Sequence, residues 1–509
     1  MNADRVSNSS FDYLSAFIRG SPFLFSLLHM PLAAITWSDL AAFWPHLVGF
    51  VTLVVDLLAT GHAILNKRDT RAAIGWVAII WLVPVVGFVL YIWLGINRIQ
   101  RKAQRLIGSR SFAERQALAC ACPPEELDQR LLPYGEPIRK LADYMQRVTS
   151  APLLHGNRIE PLDSAEAAYP AMLQAIDDAK TSVTLCTYIF NNDDAGRKFV
   201  EALGRAAARG VHTRVLVDDI GARYHLPAVD GALEAVGVRV ARFLPSLMPL
   251  SLPYSNLRDH RKILVADGRI GFTGGMNIRD CPLRDLHFRV TGPVVAQMQQ
   301  VFADDWAFAT KESLQGPIWY PPLTPVGEVL CRSIVDGPDE NIDKLRMSIM
   351  GGLACARQRV TVWTPYFLPD AALITALNVA AMRGVEVNNI LPEANNLALV
   401  KWACIALLPQ VLEHGCRVWY APPPFDHTKL MVVDGIWVLL GSGNWDPRSL
   451  RLNFEFNVEC YDRALAEQLD AQAAATIAKS RPITLAEVEG RSLPIKLRDG
   501  FARLFSPYL

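Results

Sequence analysis

Two histidines in this 509-residue sequence, His260 and His427, begin copies of one short pattern. In each copy a lysine follows at the second position, an aspartate at the seventh, glycines at the eighth and fourteenth, and an asparagine at the seventeenth. An imidazole can act as a nucleophile or carry a proton. Ammonium and amide groups can hold the non-bridging oxygens of a phosphate. Because all six positions recur in register, we expect one phosphodiester-cleaving site that both copies build.

The candidate catalytic set comes from the two motifs and comprises His260, Lys262, Asp267, His427, Lys429 and Asp434. Residues two apart in a strand project from the same face, so each lysine should accompany its histidine. Each aspartate lies an odd number of residues from its histidine, so along a strand its side chain would project from the other face. It also lies in an Asp-Gly turn. Both features predict a structural role within the motif. The returning strand should bring further polar groups to the site, and the predicted phosphate-binding residues are Asn277, Asn444 and Ser442.

Each imidazole should also need a carboxylate to orient it. Glu455 lies 28 residues after His427, in a strand-like run. The first copy has Phe288 at the same offset, and Asp285 is the carboxylate three residues earlier. We therefore predict Glu455 and Asp285 as the orienting residues, each within the copy that carries its histidine.

No metal site is predicted from these residues. Lysine is not a usual metal ligand, and the sequence has no quartet of His and Cys with zinc-site spacing. The nine cysteines are an odd set without such spacing and indicate a reducing compartment. Lys and Arg number 51 against 50 Asp and Glu, so the chain lacks the global basic charge that would favour nucleic acid as a partner.

The elements around the motifs repeat as well. Strand-like runs at 183–190 and 360–367 are each followed by an amphipathic helix pattern that ends in Ala-x-Arg-Gly-Val, and then by strands at 211–217 and 385–391. Helices that alternate with strands predict an α/β fold with mixed or parallel sheets flanked by helices. We expect two pseudo-symmetric lobes, at 151–330 and 331–509, after a polar linker at 103–150.

Two apolar stretches predict a transmembrane hairpin at 42–102. Residues 72–97 carry no charge, and in residues 45–65 Asp56 is the one acidic or basic residue besides histidines such as His62. About 20 apolar residues span a bilayer. Pro84 and Gly87 predict a kink in the second span. Asp56, near the middle of the first span, is either functional or part of a contact between the helices. Residues 1–41 lack a signal-peptide pattern and are predicted to be an interfacial N-terminal segment.

The basic residues that flank the second span predict which side of the membrane carries the catalytic lobes. Those after the span are Arg98, Arg101, Lys102 and Arg105, and those in the turn are Lys67, Arg68 and Arg71. The larger cluster predicts lobes on the cytoplasmic side of a multi-pass membrane protein.

An apolar, proline-broken loop at 243–254 precedes His260, whereas the second copy has only 421–425 at that place. Two interpretations stay open for this loop. It either touches the bilayer or lipid acyl chains beside the site, or it packs under the domain.

With these motifs the sequence resembles the phospholipase D superfamily, and within it the bacterial cardiolipin synthases with an N-terminal membrane hairpin. The likeness extends from about residue 70 to the C-terminus. It is carried by His427-Thr428-Lys429, Gly441-Ser442, Asn444, Asp446, Arg448-Ser449 and Asn453-Phe454-Glu455. Asn395-Asn396 and Asp426 depart from the family pattern, which leaves the donor and acceptor lipids open.

The resemblance implies two phospholipase D-like lobes at the inner (cytoplasmic) membrane and a reaction without cofactor. His260 would attack the phosphorus of phosphatidylglycerol to form a phosphohistidine. His427 would protonate the departing glycerol and then deprotonate the second phosphatidylglycerol, giving cardiolipin. The alternatives are a phospholipase D that hydrolyses or transfers other phospholipids, a nuclease, and a non-catalytic membrane adaptor. The sequence makes no prediction about oligomeric state.

Overall fold

A computed structural model of the chain describes residues 37–67, 70–95, 120–245, 257–281 and 283–506. The predicted interfacial segment lies outside these residues up to position 36. So do the basic cluster at 98–105, the first part of the predicted linker, and residues 246–254 of the apolar loop. The chain divides into two compact units, Met1–Ile96 and Asn97–Leu509, and each is considered by itself.

The first unit contains helices α1 (Trp37–Asn66), α2 (Thr70–Leu82) and α3 (Val86–Leu90), followed by a π-helical turn at Tyr91–Gly95. Among the described residues, one helical stretch, Trp44–Asn66, is long and apolar enough to cross a membrane. The second predicted span is not one continuous helix. It is interrupted between Leu82 and Val86, where Val85 has a φ of 68°, so the kink predicted from Pro84 is confirmed.

Asp56 of α1 is buried within this unit, with 3% of its surface exposed. Nearby in sequence, His62 Nδ1 lies 2.7 Å from the hydroxyl of Tyr91, and Trp76 packs edge-on against the same tyrosine ring. The functional interpretation of Asp56 stays a prediction.

The second unit is one large sheet with helices packed around it. The first half of this unit, which carries His260, contains strands β1 (Leu154–Leu162), β2 (Ser182–Thr187), β3 (His212–Asp218), β4 (Arg239–Phe243), β5 (Arg258–Asp259), β6 (Ile263–Ala266), β7 (Ile270–Gly274), β8 (Leu283–Arg284) and β9 (His287–Thr291). Its helices are α4 (Pro124–Leu131), α5 (Glu136–Thr149), α6 (Ala165–Asp178), α7 (Asp194–Ala208), α8 (Asp230–Ala235) and α9 (Val294–Thr310).

The second half, which carries His427, repeats this order. Its strands are β10 (Val329–Asp336), β11 (Arg359–Trp363), β12 (Glu386–Pro392), β13 (Arg417–Ala421), β14 (Phe425–Asp426), β15 (Leu430–Val433), β16 (Trp437–Gly441), β17 (Asn453–Tyr461) and β18 (Arg481–Ile483). Its helices are α10 (Lys344–Cys355), α11 (Ala371–Met382), α12 (Ala398–Leu407), α13 (Pro409–Leu412), α14 (Pro447–Arg451), α15 (Arg463–Ile477), α16 (Leu485–Glu489) and α17 (Leu493–Leu504).

The sheet is symmetric about the antiparallel pair β1–β10 at its centre. From there the strands run β9-β7-β6-β2-β3-β4 in one direction and β17-β16-β15-β11-β12-β13-β18 in the other. In each half three parallel strands are followed by an antiparallel hairpin, which confirms the predicted mixed α/β fold. One core cluster includes Phe288 and Val290 of the first half together with Phe456 and Val458 of the second, so the halves share a core.

Helix α5 lies in the stretch predicted to be a linker. Ile138, Leu141, Ala142 and Met145 recur at the spacing of one helical face, and all four are buried. The helix packs against α10 of the second half. The described part of the predicted linker is therefore folded onto the catalytic unit.

Two short strands connect each motif to the opposite half. β5, just before His260, pairs in parallel with the start of β17, and β14, just before His427, pairs in parallel with β8. The chain thus crosses between the halves immediately before each histidine.

Candidate active site

His260 and His427 occupy equivalent places immediately before the hairpins β6–β7 and β15–β16. The His260 backbone N–H donates to Phe454 O at 2.9 Å, and that of His427 donates to Arg284 O at 2.7 Å. Each histidine is thereby fixed by the backbone of the opposite half. Both imidazoles line one cleft of about 510 Å³, so the structure brings the two predicted histidines to one site.

The orienting carboxylates are the two predicted residues, but their pairing is crossed. His260 Nδ1 lies 3.0 Å from Glu455 Oε2, and His427 Nδ1 lies 2.9 Å from Asp285 Oδ2. The expectation that each carboxylate serves the histidine of its own copy was therefore wrong. The physical reason is the crossover at β5 and β14, which carries each histidine to the returning strand of the other half.

Glu455 and Asp285 are equivalent in the fold although their sequence offsets differ. Gly274 pairs with His287 and Gly441 pairs with Asn457, so each carboxylate lies two residues before the partner of its glycine. In both pairs the carboxylate contacts Nδ1 of the imidazole. The other ring nitrogen, Nε2, is left for the substrate, because an imidazole presents two distinct nitrogens.

Glu455 receives more hydrogen bonds than Asp285 does. Ser442 Oγ donates to Glu455 Oε2, and Asn453 Nδ2 donates to Oε1 at 3.2 Å. Ser442 is fully buried, and its oxygen also accepts from the Phe456 backbone N–H at 2.9 Å. The hydroxyl predicted to bind phosphate is therefore committed to Glu455 and the backbone.

The first half has Gly275 where the second has Ser442. A Cβ at Gly275 would lie 2.3 Å from Asp285 Oδ1, so no serine fits there without movement. Among the described side chains, His427 is the one that forms a hydrogen bond with Asp285. The two histidine–carboxylate pairs are therefore alike in geometry but different in their surroundings.

The two lysines lie beneath the histidines and are buried. Lys262 Nζ donates to His260 O and Lys429 Nζ donates to His427 O, each at 2.6 Å. An ammonium carries three N–H groups, so this bond leaves donors for an anionic ligand. His260 and Lys262 precede β6 rather than lying in it, because that strand begins at Ile263. The sequence therefore predicted the start of this strand a few residues too early.

Asn277 and Asn444, predicted to bind phosphate, both line the cleft. Asn277 Oδ1 accepts from the Ile189 backbone N–H at 3.0 Å, which directs its amide oxygen away from a ligand and leaves the NH₂ group as donor. The structure thus places both asparagines where a phosphate could receive an N–H.

Asp267 and Asp434 lie at the far end of their strands and bind backbone instead of substrate. Asp434 accepts from the N–H groups of three consecutive residues, Arg357 to Arg359, at 2.8, 2.8 and 2.9 Å. Asp267 accepts in the same way from residues 180–182. Both have a φ of 52° in their turns. Their geometry agrees with the structural role expected from their position in the motif, and neither lines the cleft with His260 and His427.

Several cleft residues were missed by reasoning from the sequence. Two are tyrosines that follow the equivalent strands β2 and β11: the ring of Tyr188 lies 5.2 Å from that of His260, and the ring of Tyr366 lies 6.2 Å from that of His427. The strand repeat was the available signal for them. Three arginines also line the cleft, namely Arg258, Arg279 and Arg448. The repeat gave no signal for Arg258 and Arg279. Both belong to the first copy, and the second copy has Phe425 and Asp446 at the corresponding positions.

The protonation of the two pairs differs. Burial lowers the pKa of His260 to about 4 and that of His427 well below its ordinary value, where the nearby Lys429 and Lys262 lower it further. Burial also raises the pKa of Asp285 to about 8. Burial acts in the same direction on Glu455, but His260, Lys262 and Ser442 outweigh it and the pKa of Glu455 is lowered. At neutral pH the Asp285–His427 pair therefore holds one proton more than the Glu455–His260 pair.

The lysines are also perturbed. Burial lowers the pKa of Lys262 to about 7 and that of Lys429 to about 8, while the carboxylates Glu455 and Asp285 act in the opposite direction. An anionic ligand between them would favour their charged forms. A bound phosphate would therefore keep both lysines in the charged form that binds it.

Comparison with known proteins gives consistent results. A family model described as "Cardiolipin synthase, PLD-like domain" matches residues 172–306 and 349–476, and a second, "Phospholipase_D-nuclease N-terminal", matches residues 54–95. The cardiolipin synthase of Listeria innocua is 30% identical over 460 residues, which cover 87% of this chain and 95% of that protein. The major cardiolipin synthase of Bacillus subtilis is 30% identical over 465 residues, with the same coverage.

A solved structure also shares the fold. The phosphatidylserine synthase of Haemophilus influenzae superposes with a TM-score of 0.55 at 15% sequence identity, over 73% of this chain and all of that one. At this identity the likeness supports the architecture of the second unit and nothing about its substrate.

Proposed function

Because the chain belongs to the cardiolipin synthases, which are phosphatidyltransferases of the phospholipase D superfamily, we propose that it joins two phosphatidylglycerol molecules into cardiolipin and glycerol. The observation that carries the proposal is the pair of imidazoles on one cleft, each oriented by a buried carboxylate from the opposite half. The family and its N-terminal apolar helix make the protein membrane-associated.

In the first step His260 Nε2 attacks the phosphorus of one phosphatidylglycerol. An N–P bond forms and the bond from phosphorus to the glycerol headgroup oxygen breaks. Glu455 supports this role because its negative charge stabilises the imidazolium character that develops on His260. Ser442 and Asn453 hold that carboxylate in its charged form.

His427 supplies the proton that the leaving glycerol needs. The extra proton of the Asp285–His427 pair makes this pair the acid, and the arriving phosphate anion raises the proton affinity of His427. In the second step His427 removes a proton from the hydroxyl of a second phosphatidylglycerol. That oxygen attacks phosphorus, the N–P bond breaks, and both histidines return to their starting forms.

The non-bridging phosphate oxygens are held by the surrounding donors. We assign this role to Lys262, Lys429, Asn277 and Asn444, and add Arg448 from the cleft wall. Charge that develops on these oxygens is stabilised by donors already in place before the reaction.

The arrangement in the membrane belongs to the same proposal. The lobes are 151–330 and 331–509, the N-terminal region crosses the membrane twice, and the lobes face the cytoplasm. These assignments are supported by the duplicated sheet, the apolar stretches and the excess of basic residues after the second span.

The test is turnover of labelled phosphatidylglycerol by the purified chain in proteoliposomes. We expect cardiolipin and an equal amount of glycerol, and loss of both with His260→Ala. Phosphatidic acid as the main product would identify a hydrolase instead. Absence of any product, or turnover that His260→Ala leaves intact, would refute the proposed reaction. A second assay with phosphatidylethanolamine as the acceptor partner tests acceptor identity.

A further inference from the structure

Helix α17 (Leu493–Leu504) has an apolar face on the outside of the catalytic unit. Leu493, Leu497, Phe501 and Leu504 are 69%, 64%, 61% and 70% exposed. At 3.6 residues per turn these four positions lie within about 80° of one another around the helix axis. They form a single stripe, here called the α17 stripe.

The opposite side of α17 is the one that holds it to the protein. Asp499 and Ala502 are buried there, and Asp499 makes ion pairs with Arg491 and Arg498. The guanidinium of Arg498 also lies over the ring of Trp402 of α12, 4.4 Å from its centre. The inward face is therefore polar and paired, and the outward face is apolar, which inverts the usual pattern of a surface helix.

Positive charge lies beside the stripe. Lys496 and Arg503 are exposed and project from the same side of the helix, about 60° or more around the axis from the apolar residues. Among the described residues of α17 the acidic side chain is Asp499, which is buried and neutralised by its two arginines. An apolar face bordered by lysine and arginine is the composition of helices that lie in the interface of anionic bilayers.

Helix α12 connects α17 with the cleft. Helix α17 packs along α12, and Leu397 and Val400, at the start of α12, line the cleft that contains both histidines. Leu397 and Leu399 are themselves 48% and 46% exposed. Exposed apolar side chains thus lie both on α17 and at the start of its neighbour α12, beside the cleft.

We propose that the α17 stripe docks the catalytic unit onto the surface of an anionic phospholipid bilayer, so that lipid headgroups can enter the cleft beside α12. This inference rests on the proposed function for its purpose, since a bilayer phospholipid is the substrate. Its physical basis is independent of turnover: large exposed apolar patches rimmed by basic residues mark contact with a membrane.

The experiment places the photo-crosslinking amino acid benzoylphenylalanine at Leu497 or Leu504 of the full chain. The protein is reconstituted in vesicles of phosphatidylglycerol and phosphatidylethanolamine, irradiated, and analysed by mass spectrometry. The control carries the same probe at Ile318, an apolar residue 40% exposed in the loop between α9 and β10 of the first half. We expect phospholipid adducts at 497 and 504 and few at 318. Covalent dimers of the chain at 497 or 504, or no more lipid adduct there than at 318, would overturn the proposal.

Activity gives a second measurement. Leu497→Ser, Phe501→Ser and Leu504→Ser combined should lower turnover of bilayer phosphatidylglycerol about tenfold or more, because each apolar side chain contributes to partition into the bilayer. The same triple variant should turn over a short-chain, monomeric phosphatidylglycerol at nearly the wild-type rate. The control variant Ile318→Ser should be near wild type on both substrates. Equal losses on both substrates would contradict docking. Lipid adducts without any turnover would refute the proposed function and leave docking intact, whereas turnover without adducts would do the reverse.

Discussion

Replacement of Glu455 by glutamine tests whether the two histidine–carboxylate pairs have different tasks. Glu455 accepts a hydrogen bond from His260 Nδ1 at 3.0 Å, and Ser442 and Asn453 hold it in place. Glutamine keeps the size of the side chain but removes the charge. A hydrogen bond to a charged group contributes about 1.5–3 kcal/mol, which corresponds to about 10- to 150-fold in rate. We therefore expect phosphohistidine formation to slow by that factor.

The assay is a single turnover of labelled phosphatidylglycerol by excess enzyme, quenched in alkali, where an N–P bond survives. The amount of labelled protein and of released glycerol is followed in time. Glu467→Gln is the matched control, because Glu467 pairs with Arg463 on the exposed surface of α15. Thermal melting in detergent checks that both variants are folded. Formation of labelled protein at the wild-type rate in Glu455→Gln, with the control also unchanged, would refute the role assigned to this carboxylate.

Three further predictions follow from other parts of the site. Asp434→Asn should lower the free energy of unfolding by about 1.5–3 kcal/mol, because the charged hydrogen bonds that Asp434 accepts from three backbone N–H groups are weakened. The kcat of the folded enzyme should stay near wild type. Chemical denaturation measures the first effect and steady-state kinetics the second. Turnover should fall as the pH rises through about 8, since the raised pKa of Asp285 means that its pair with His427 holds the needed proton only below that value; a pH–rate profile that is flat from about 7 to 10 would contradict it. Arg448→Gln should raise KM for phosphatidylglycerol by about tenfold and change kcat less, because Arg448 lines the cleft and offers a charge to the phosphate. Saturation kinetics on mixed micelles measure both constants. A large fall in kcat with little change in KM would show instead that Arg448 acts on the reacting atoms.

Most of what could be predicted from the sequence came from its internal repeat. Each motif and its flanking strands occur twice, so the mixed α/β fold followed from two consistent copies. His260 and His427 were predicted to share a site because the six motif positions recur in register in both copies. The structure places both on one cleft.

The crossing of the carboxylates could not be predicted from spacing. Asp285 lies eight residues after Asn277, whereas Glu455 lies eleven after Asn444, so a shortened loop hides their equivalence. Which histidine each one meets depends on β5 and β14, two-residue strands with no pattern of their own. Such contacts are set by tertiary packing rather than by local preference.

Other differences have local causes. Ser442 was predicted to face phosphate, but the glutamate across the sheet is longer than aspartate and takes its hydroxyl. Helix α5 lies in a stretch whose polar composition predicted a linker, although the spacing of Ile138 and Met145 is typical of a buried helical face. The exposed stripe of α17 is likewise visible in the spacing of Leu493, Leu497 and Phe501, but exposure had to be known before it had meaning.

The most direct test of the account is to find the labelled atom. The enzyme is mixed with phosphatidylglycerol that carries ³²P, quenched in alkali, digested, and the labelled peptide is sequenced by mass spectrometry. We expect ³²P on the peptide that contains His260 and none in His260→Ala. In His427→Ala, which lacks both the acid of the first step and the base of the second, we expect label on the same peptide to form more slowly and to persist longer. Label on neither histidine, or on another residue in both variants, would contradict a single site in which two imidazoles act on one phosphorus.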